Sequence, residues 1–307
     1  MTLPIFDPKA TTLPVLRYLV ALDEYGHFGR AAAACAVAQP TLSEQISRYE
    51  QRLGVELVQR SGRSSELSPL GRSLAAQARE ILYRLQALEQ SAGPGDPPFY
   101  GPIRMGVIMS LGSSLLPHIG PAIEEAFPRL RWSVREGLTG GLLADLAAGE
   151  VDCVVLASVP EIDDAYAQEH LFREEFIAAL PVDHPFAAAG SVDAQELARD
   201  QLLLLEDGHC LRGQALAVCG LANSGTGGDY RATSLETLRQ LVALGHGVTL
   251  LPRLTAEQSA NDPRLVLRPL SEPGGHRDIV MIWRRSEIRE EGFRQLAAVV
   301  RDTIRDT

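Results

Sequence analysis

The chain has 307 residues, 45% hydrophobic and 22% charged, with a formal net charge of −10. That describes an ordinary soluble globular protein with room for two or three domains, and no apolar run nears the ~18 residues of a membrane-spanning helix. MTLPIFDPKA lacks a basic segment followed by an apolar one. No signal peptide is therefore expected, the cytoplasm is the expected compartment, and the cysteines should rest reduced.

The negative total argues at first against nucleic acid, but the charge is unevenly spread. Residues 1–92 hold ten Lys+Arg and nine Asp+Glu (+1), and the remainder nineteen against thirty (−11). Every basic residue except Lys9 is Arg, so phosphate contacts would be mostly guanidinium forks. Thr12-Leu13-Pro14 starts a helix whose apolar face is Val15, Leu16, Leu19, Val20 and Leu22. A second helix, Arg30 to Ala36, is nearly all alanine, which lets a neighbour approach closely. After a turn at Val37–Gln39, Pro40 sits at the first position of a third helix. There Leu42, Ile46, Tyr49 and Leu53 form the expected buried stripe, while Thr41, Ser43, Glu44, Ser47, Arg48 and Gln51 form a polar face. Leu57 to Arg60, a polar tip, and Leu67-Ser68 read as a two-stranded wing carrying Arg60 and Arg63 near phosphates. Two short helices, a tight turn and a polar-faced third helix are a helix-turn-helix, whose second helix lies in the major groove.

The run HFGRAAAACAVAQPTLSEQISRYEQRLGVELVQRSGRSSELSPLGRSL resembles the winged helix-turn-helix of LysR-type transcriptional regulators. The resemblance implies base reading by Gln39, Pro40, Thr41 and Ser43, with Ser47 on the same face and Arg48 on a phosphate or base. From Ser68 to Ala92 one long helix carries the stripe Leu70, Leu74, Ala78, Ile81, Leu82, Leu85 and Leu88. Alone it has nothing to bury that stripe against, so it is expected to dimerise. Gly93 to Pro98 then breaks it.

Beyond residue 102, strands at Ile103–Met109, Trp132–Arg135 and Cys153–Leu156 alternate with helices at Leu115–Phe127 and Gly141–Ala148. That alternation implies an α/β domain with a largely parallel sheet. Phe176–Leu180 looks like a crossing strand, and a second strand–helix set runs from Leu202 to Leu251. Leu265–Leu267 and Ile279–Trp283 read as return strands, and Glu291 to Ile304 as a final helix. The family resemblance implies a periplasmic-binding-protein-like pair of subdomains.

In the second set, LLLLEDGHCLRGQALAVCG places an acid-Gly-His-Cys loop at the carboxyl end of a buried strand and a helix-patterned segment after it. Residues nine apart on a helix lie ~13.5 Å apart and on opposite faces. A disulfide needs Cα atoms within roughly 4.4–6.8 Å, so Cys210 and Cys219 cannot bond while a helix separates them. The segment resembles the sensing segment of the peroxide-responsive members of the LysR family. That resemblance implies that Cys210 is the peroxidatic thiol and Cys219 the resolving one. A helix amino end beside His209, with Asp207 close by, favours the thiolate. The same resemblance puts Arg284 near the thiol and the hydroxyls of Thr139 and Ser110 on the peroxide. Ser110, where Thr is more familiar, and Asp229, where several members carry His, depart from the pattern. Cys35 and Cys153 read as core thiols, and no Cys/His spacing makes a zinc site, so neither metal nor cofactor is expected.

The expected architecture is α/β overall with an all-α winged head: 1–68 DNA-binding, 69–92 linker helix, 93–101 hinge, and 102–307 regulatory. Within the last, subdomain I is 102–180 plus 270–307 and subdomain II is 181–269. Expected partners are double-stranded DNA, further copies up to a homotetramer, RNA polymerase, hydrogen peroxide, and a reductant of the glutaredoxin or thioredoxin type. Two other readings stay open: a metabolite-gated LysR-type regulator with incidental cysteines, and a thiol peroxidase or disulfide oxidoreductase. The winged head and the absence of a Cys-x-x-Cys weigh against the enzyme.

Overall fold

The structure, a computed structural model, describes residues 11–61, 64–90, 99, 102–160, 162, 166–221, 231–287 and 289–305. The chain forms two compact units, 1–101 with 148–150, and 102–147 with 151–307. Among the described residues no helix is long and apolar enough to cross a membrane.

The first unit begins with α1 (Leu13–Tyr25), which has Pro in its first turn and ends at left-handed Gly26. The second helix, α2 (Phe28–Ala34), starts two residues earlier than expected because His27 Nδ1 caps it, accepting from Gly29 N at 3.0 Å. The third, α3 (Gln39–Leu53), ends at left-handed Gly54. Leu42, Ile46 and Tyr49 are buried against Val15, Leu19 and Leu22, but Leu53 is exposed, contrary to the expected stripe. It is the last residue of α3, beyond the packed turns. The wing is β1 (Val58–Ser61) paired antiparallel with β2 (Ser64–Leu67). Glu50 Oε1 on α3 accepts from Leu57 N at 2.7 Å and Val58 N at 3.0 Å, which ties the wing to the third helix.

The long helix α4 (Pro69–Gln90) follows. It is not unpartnered within its own chain: Ala75 and Ala78 are buried where it packs on α1. There Arg79 also reaches Asp23 at 2.8 Å, with both side chains under 10% exposed. Leu70, Ile81 and Leu88 remain exposed. Packing therefore splits the expected stripe into an inward alanine face and an outward set of large residues. Residues 93–98 of the expected hinge lie outside the described residues.

The second unit contains β3 (Ile103–Ile108), α5 (Gly112–Ala126), β4 (Trp132–Gly137), α6 (Thr139–Ala148) and β5 (Cys153–Ala157). Next come β6 (Tyr166–Pro181), a short 3-10 turn, α7 (Ala194–Leu197), β7 (Leu204–Leu205) and α8 (Cys210–Val218). The chain finishes with β8 (Arg231–Ala232), α9 (Leu235–Ala243), β9 (Thr249–Pro252), α10 (Arg253–Gln258), β10 (Leu265–Pro269), β11 (His276–Arg284) and α11 (Glu290–Arg305). The main sheet has the order β10-β6-β11-β5-β3-β4, with β9 also on β6. It is mixed rather than largely parallel. β3 runs parallel to β4 and β5, whereas β11 is antiparallel to both β5 and β6, and β9 and β10 are antiparallel to β6. The crossing strand is also far longer than Phe176–Leu180, because its polar first half finds a ladder partner in β11. Leu202 to Leu205 are buried as expected, in a core with Leu211, Ala215, Cys219 and Leu238.

One glycine in the head has no room for a side chain. A Cβ on Gly71 would stand 2.2 Å from Leu57 O. The same turn is closed by Ser68, whose Oγ accepts from Gly71 N and donates to Glu56 O, each at 3.0 Å. Gly71→Ala should push α4 off the wing and cost about 1–3 kcal/mol. The check is urea unfolding at one fixed protein concentration, and an unchanged midpoint would sink this steric account.

Candidate functional site

Parallel strands β3 and β4 deliver their carboxyl ends to one edge, where Ser110 follows β3 and Thr139 opens α6. Met109 N donates to Gly137 O at 3.2 Å, so these two strand ends are joined. The loop after β7 comes to the same edge. Gly208 has φ +96°, and a Cβ there would lie 3.2 Å from Leu138 Cδ1. Only glycine takes that backbone comfortably, and it lets the Asp207-Gly208-His209 turn lie against the loop before Thr139.

Cys210 is the first residue of α8, half-buried at its amino end, and Cys219 is the C-cap residue, buried with 2% exposure. The two free thiols therefore bracket an intact nine-residue helix. Arg212 fastens that helix to the strand before it. Its Nη1 donates to Leu205 O at 3.0 Å and its Nε lies 3.1 Å from Asp207 Oδ1. At the other end, Val218 packs so tightly on Gly275 that a Cβ there would stand 2.6 Å from each Val218 methyl.

Burial lowers the His209 pKa against the opposing pull of Glu206, so the imidazole is neutral at neutral pH. Beside Cys210 it offers a hydrogen-bonding dipole rather than the positive charge of a protonated histidine. Burial pushes the Cys219 thiol up to about 11, so it stays protonated in the docked helix. Cys153, enclosed in β5, is raised by burial and then by Asp152. Cys35 is raised by burial, which Arg17 opposes. Cys153 opens β5, at the amino end of that strand, whereas Ser110 and Thr139 lie beyond the carboxyl ends of β3 and β4.

Two residues that sequence reasoning missed occupy the edge beside Ser110. Arg277 on β11 and Glu174 on β6 are directly paired across the ladder, and each side chain is at most 1% exposed. Arg277 Nη1 donates to Ser110 Oγ at 2.8 Å and its Nη2 to Ser110 O at 3.1 Å. A signal existed. Glu174 alternates with buried Phe172 and Phe176, and Arg277 with buried Ile279 and Met281, so the period of two aimed both charges inward.

Arg284, by contrast, is not near the thiol. It ends β11 opposite the start of β5, at the amino edge, with Nη1 donating to Leu146 O at 2.6 Å and Val151 O at 3.0 Å. Seven residues of antiparallel strand, roughly 24 Å, separate it from Arg277. It belongs to a second ionic group in which Arg289 joins Asp152 at 3.0 Å to Glu287 at 2.8 Å. Burial alone would raise the Asp152 carboxyl, but Arg289 and Arg104 outweigh it and hold it below the usual range. Among the described residues no group of His, Cys, Asp and Glu could hold a metal ion.

On the first unit, Gln39, Pro40 and Thr41 are exposed at the amino end of α3, with Ser43 and Ser47 half-buried beside them. Arg48 is exposed and pairs with Glu44 at 2.7 Å, an i,i+4 contact worth about 0.3–0.5 kcal/mol that a phosphate could readily displace. Arg60 lies on β1 opposite Ser65. Arg63 and Asp229 lie outside the described residues.

Residues 13–72 match the bacterial regulatory helix-turn-helix of the lysR family, and residues 99–305 match the LysR substrate binding domain. The DNA-binding transcriptional dual regulator OxyR of Escherichia coli K12 is 41% identical over 286 residues, 93% of each chain. A probable hydrogen peroxide-inducible genes activator of Streptomyces viridosporus is 37% identical, over 97% of this chain and 96% of its own. Among solved structures, a full-length OxyR variant of Pseudomonas aeruginosa aligns with TM-score 0.81 and 35% identity, over 94% of this chain and 97% of its own. A hydrogen-peroxide-bound OxyR mutant of Corynebacterium glutamicum aligns with TM-score 0.66 and 31% identity, over 96% and 94%.

The unequal settings of the thiols predict unequal labelling. At pH 8 the reduced, folded protein should be alkylated by iodoacetamide at Cys210 at least tenfold faster than at Cys219 or Cys153. Peptide mass spectrometry measures the ratio. Equal labelling of Cys210 and Cys219 in the native state would mean that α8 does not shield the second thiol.

Proposed function

Because this chain belongs to the LysR family of bacterial transcriptional regulators, we propose that it senses hydrogen peroxide through Cys210 and Cys219 and reports the result to DNA through its winged head. It is a peroxide-sensing, DNA-binding regulator and not an enzyme. The observation that carries the residue assignment is the position of the two thiols. One is half-buried at the head of α8, just after the Gly208 turn that lies against the loop before Thr139, and the other is buried at the helix's far end.

In the first step the Cys210 thiolate attacks one oxygen of peroxide. The S–O bond forms, the O–O bond breaks, and hydroxide departs and is protonated by solvent. Ser110 and Thr139 supply hydroxyls at the edge where this occurs. In the second step the Cys219 sulfur displaces the sulfenic hydroxyl, which leaves as water, and a disulfide forms. Nine residues of helix hold the sulfurs too far apart for that bond, so α8 must first unwind. The burial that keeps Cys219 protonated is lost at the same moment, freeing it to react. Chemistry and refolding are then one event. A dithiol reductant of the glutaredoxin or thioredoxin class would reset it in the cytoplasm.

In the head, Gln39, Pro40, Thr41, Ser43 and Ser47 are assigned to the major groove with Arg48, and Arg60 and Arg63 to the phosphates flanking it. The exposed Leu70, Ile81 and Leu88 of α4 support a homodimer through that helix, assembling further to a tetramer that contacts RNA polymerase. The working division is 1–68 for DNA, 69–92 for dimerisation, 93–101 as hinge and 102–307 for sensing.

One equivalent of peroxide should remove two hydrogens from the protein mass and join Cys210 and Cys219 in one linked peptide on diagonal mapping. Cys210→Ser should abolish the peroxide-dependent change in DNA footprint; a full response in that variant would falsify the redox assignment. For the head, Arg48→Ala should weaken operator binding and reduce the salt slope of log Kobs by about one. Identical titration curves for wild type and variant would remove Arg48 from the interface.

A further inference from the structure

Glu174 touches neither cysteine, and the peroxide reading above gives it no role. We propose that Glu174 is a positioning residue for peroxide reduction: by clamping Arg277 it makes the Ser110 hydroxyl a hydrogen-bond donor to the peroxide. The inference rests on the peroxide reading.

Its basis is the count of donors and acceptors. Glu174 Oε2 accepts from Arg277 Nε at 2.8 Å and lies 2.8 Å from Nη2, so one edge of the guanidinium is fixed by the carboxylate. Glu174 Oε1 accepts from Leu254 N at 3.1 Å, which in turn anchors the carboxylate to the first turn of α10. With that edge held, Nη1 is directed at Ser110 Oγ, 2.8 Å away, while Nη2 also reaches Ser110 O. A guanidinium can only donate. Ser110 therefore receives a hydrogen bond from Arg277, and its own single hydrogen must point elsewhere. Among the described residues no protein group accepts it. Ser110 stands at the carboxyl edge of β3, joined through Met109 and Gly137 to the loop that Gly208 packs against. A peroxide oxygen entering there accepts that hydrogen. When the thiolate attacks and the O–O bond breaks, negative charge collects on the departing oxygen, and a donor already aligned lowers the barrier without reorganising. Removing the clamp frees Arg277 to rotate, and Ser110 loses the partner that fixes its polarity.

The test compares two reactions of Cys210 in the reduced full-length protein: oxidation by hydrogen peroxide and alkylation by iodoacetamide. Both need the thiolate, but only the first needs a donor for a departing oxygen. E174Q cannot satisfy both neighbours at once, since its amide nitrogen faces either Arg277 or Leu254 N–H. The peroxide rate constant should fall about tenfold or more, while the alkylation rate stays within about twofold. In an S110A background, E174Q should cost nothing further. If E174Q does not reach the native near-UV circular dichroism, E174D keeps the charge but shortens the reach, and should show the same selective loss in smaller measure. An unchanged peroxide rate overturns the proposal. So does a parallel fall in alkylation, or an equal loss with and without Ser110. A wild-type protein whose Cys210 ignores peroxide while alkylating normally overturns the peroxide reading itself, and this inference with it.

Discussion

The geometry of the sensing unit is governed by one short helix that keeps two sulfurs apart. The nine-residue α8 runs from Cys210 to the residue before Cys219, and helices of that length are unstable by themselves in water. What holds α8 is its docking. Leu211 and Ala215 are buried, Val218 sits on Gly275, and Arg212 ties the first turn to Leu205 and Asp207. Gly213, in the middle, lowers the helix's intrinsic stability by about 1 kcal/mol relative to alanine. The result is a segment folded by its neighbours rather than by its own propensity. In the proposed cycle a covalent bond between its ends competes directly with that docking.

Around this labile segment the second unit is stiffened by buried charge. Two ionic groups sit at opposite edges of the sheet, Arg277 with Glu174 at one and Asp152, Arg289 and Glu287 at the other. Burying such groups gains little net stability, but removing one member strands its partner at a cost of about 3–5 kcal/mol. They therefore act as register pins. Arg277 and Glu174 face each other across the β11–β6 ladder, and a slip by one residue would turn both toward the wrong face.

Much of this was legible in the chain. Periodicity located α3 and α8 within a residue or two, because each is bounded by a residue with a local mechanism: Gly54 in the left-handed region and the turn at Gly208; the wing's second strand starts three residues before the expected Leu67. The contrast between Cys210 and Cys219 could be sensed from polar and apolar neighbours. Long-range pairing could not. The first half of β6 reads as polar loop until β11 is laid against it, and α4 looks unpartnered until α1 takes its alanines. Arg284 came from the family resemblance alone, and only the register with β5 shows that it ends β11 at the edge away from Ser110. Glu174 falls before the expected strand Phe176–Leu180, and its partner lies 103 residues away.

Glu50 has a consequence for how the head can be controlled. Its carboxylate, rooted in the third helix, holds the two amides that open the wing. The spacing between the third helix and the hairpin, the two elements proposed to meet DNA, is thereby held within one small unit, like the jaws of a caliper set at a single gauge. A signal that moved the wing relative to the third helix would have to break both of these Glu50 bonds. In the homodimer proposed above, a signal arriving from elsewhere in the protein would act on the spacing of two calipers rather than on the gauge of either.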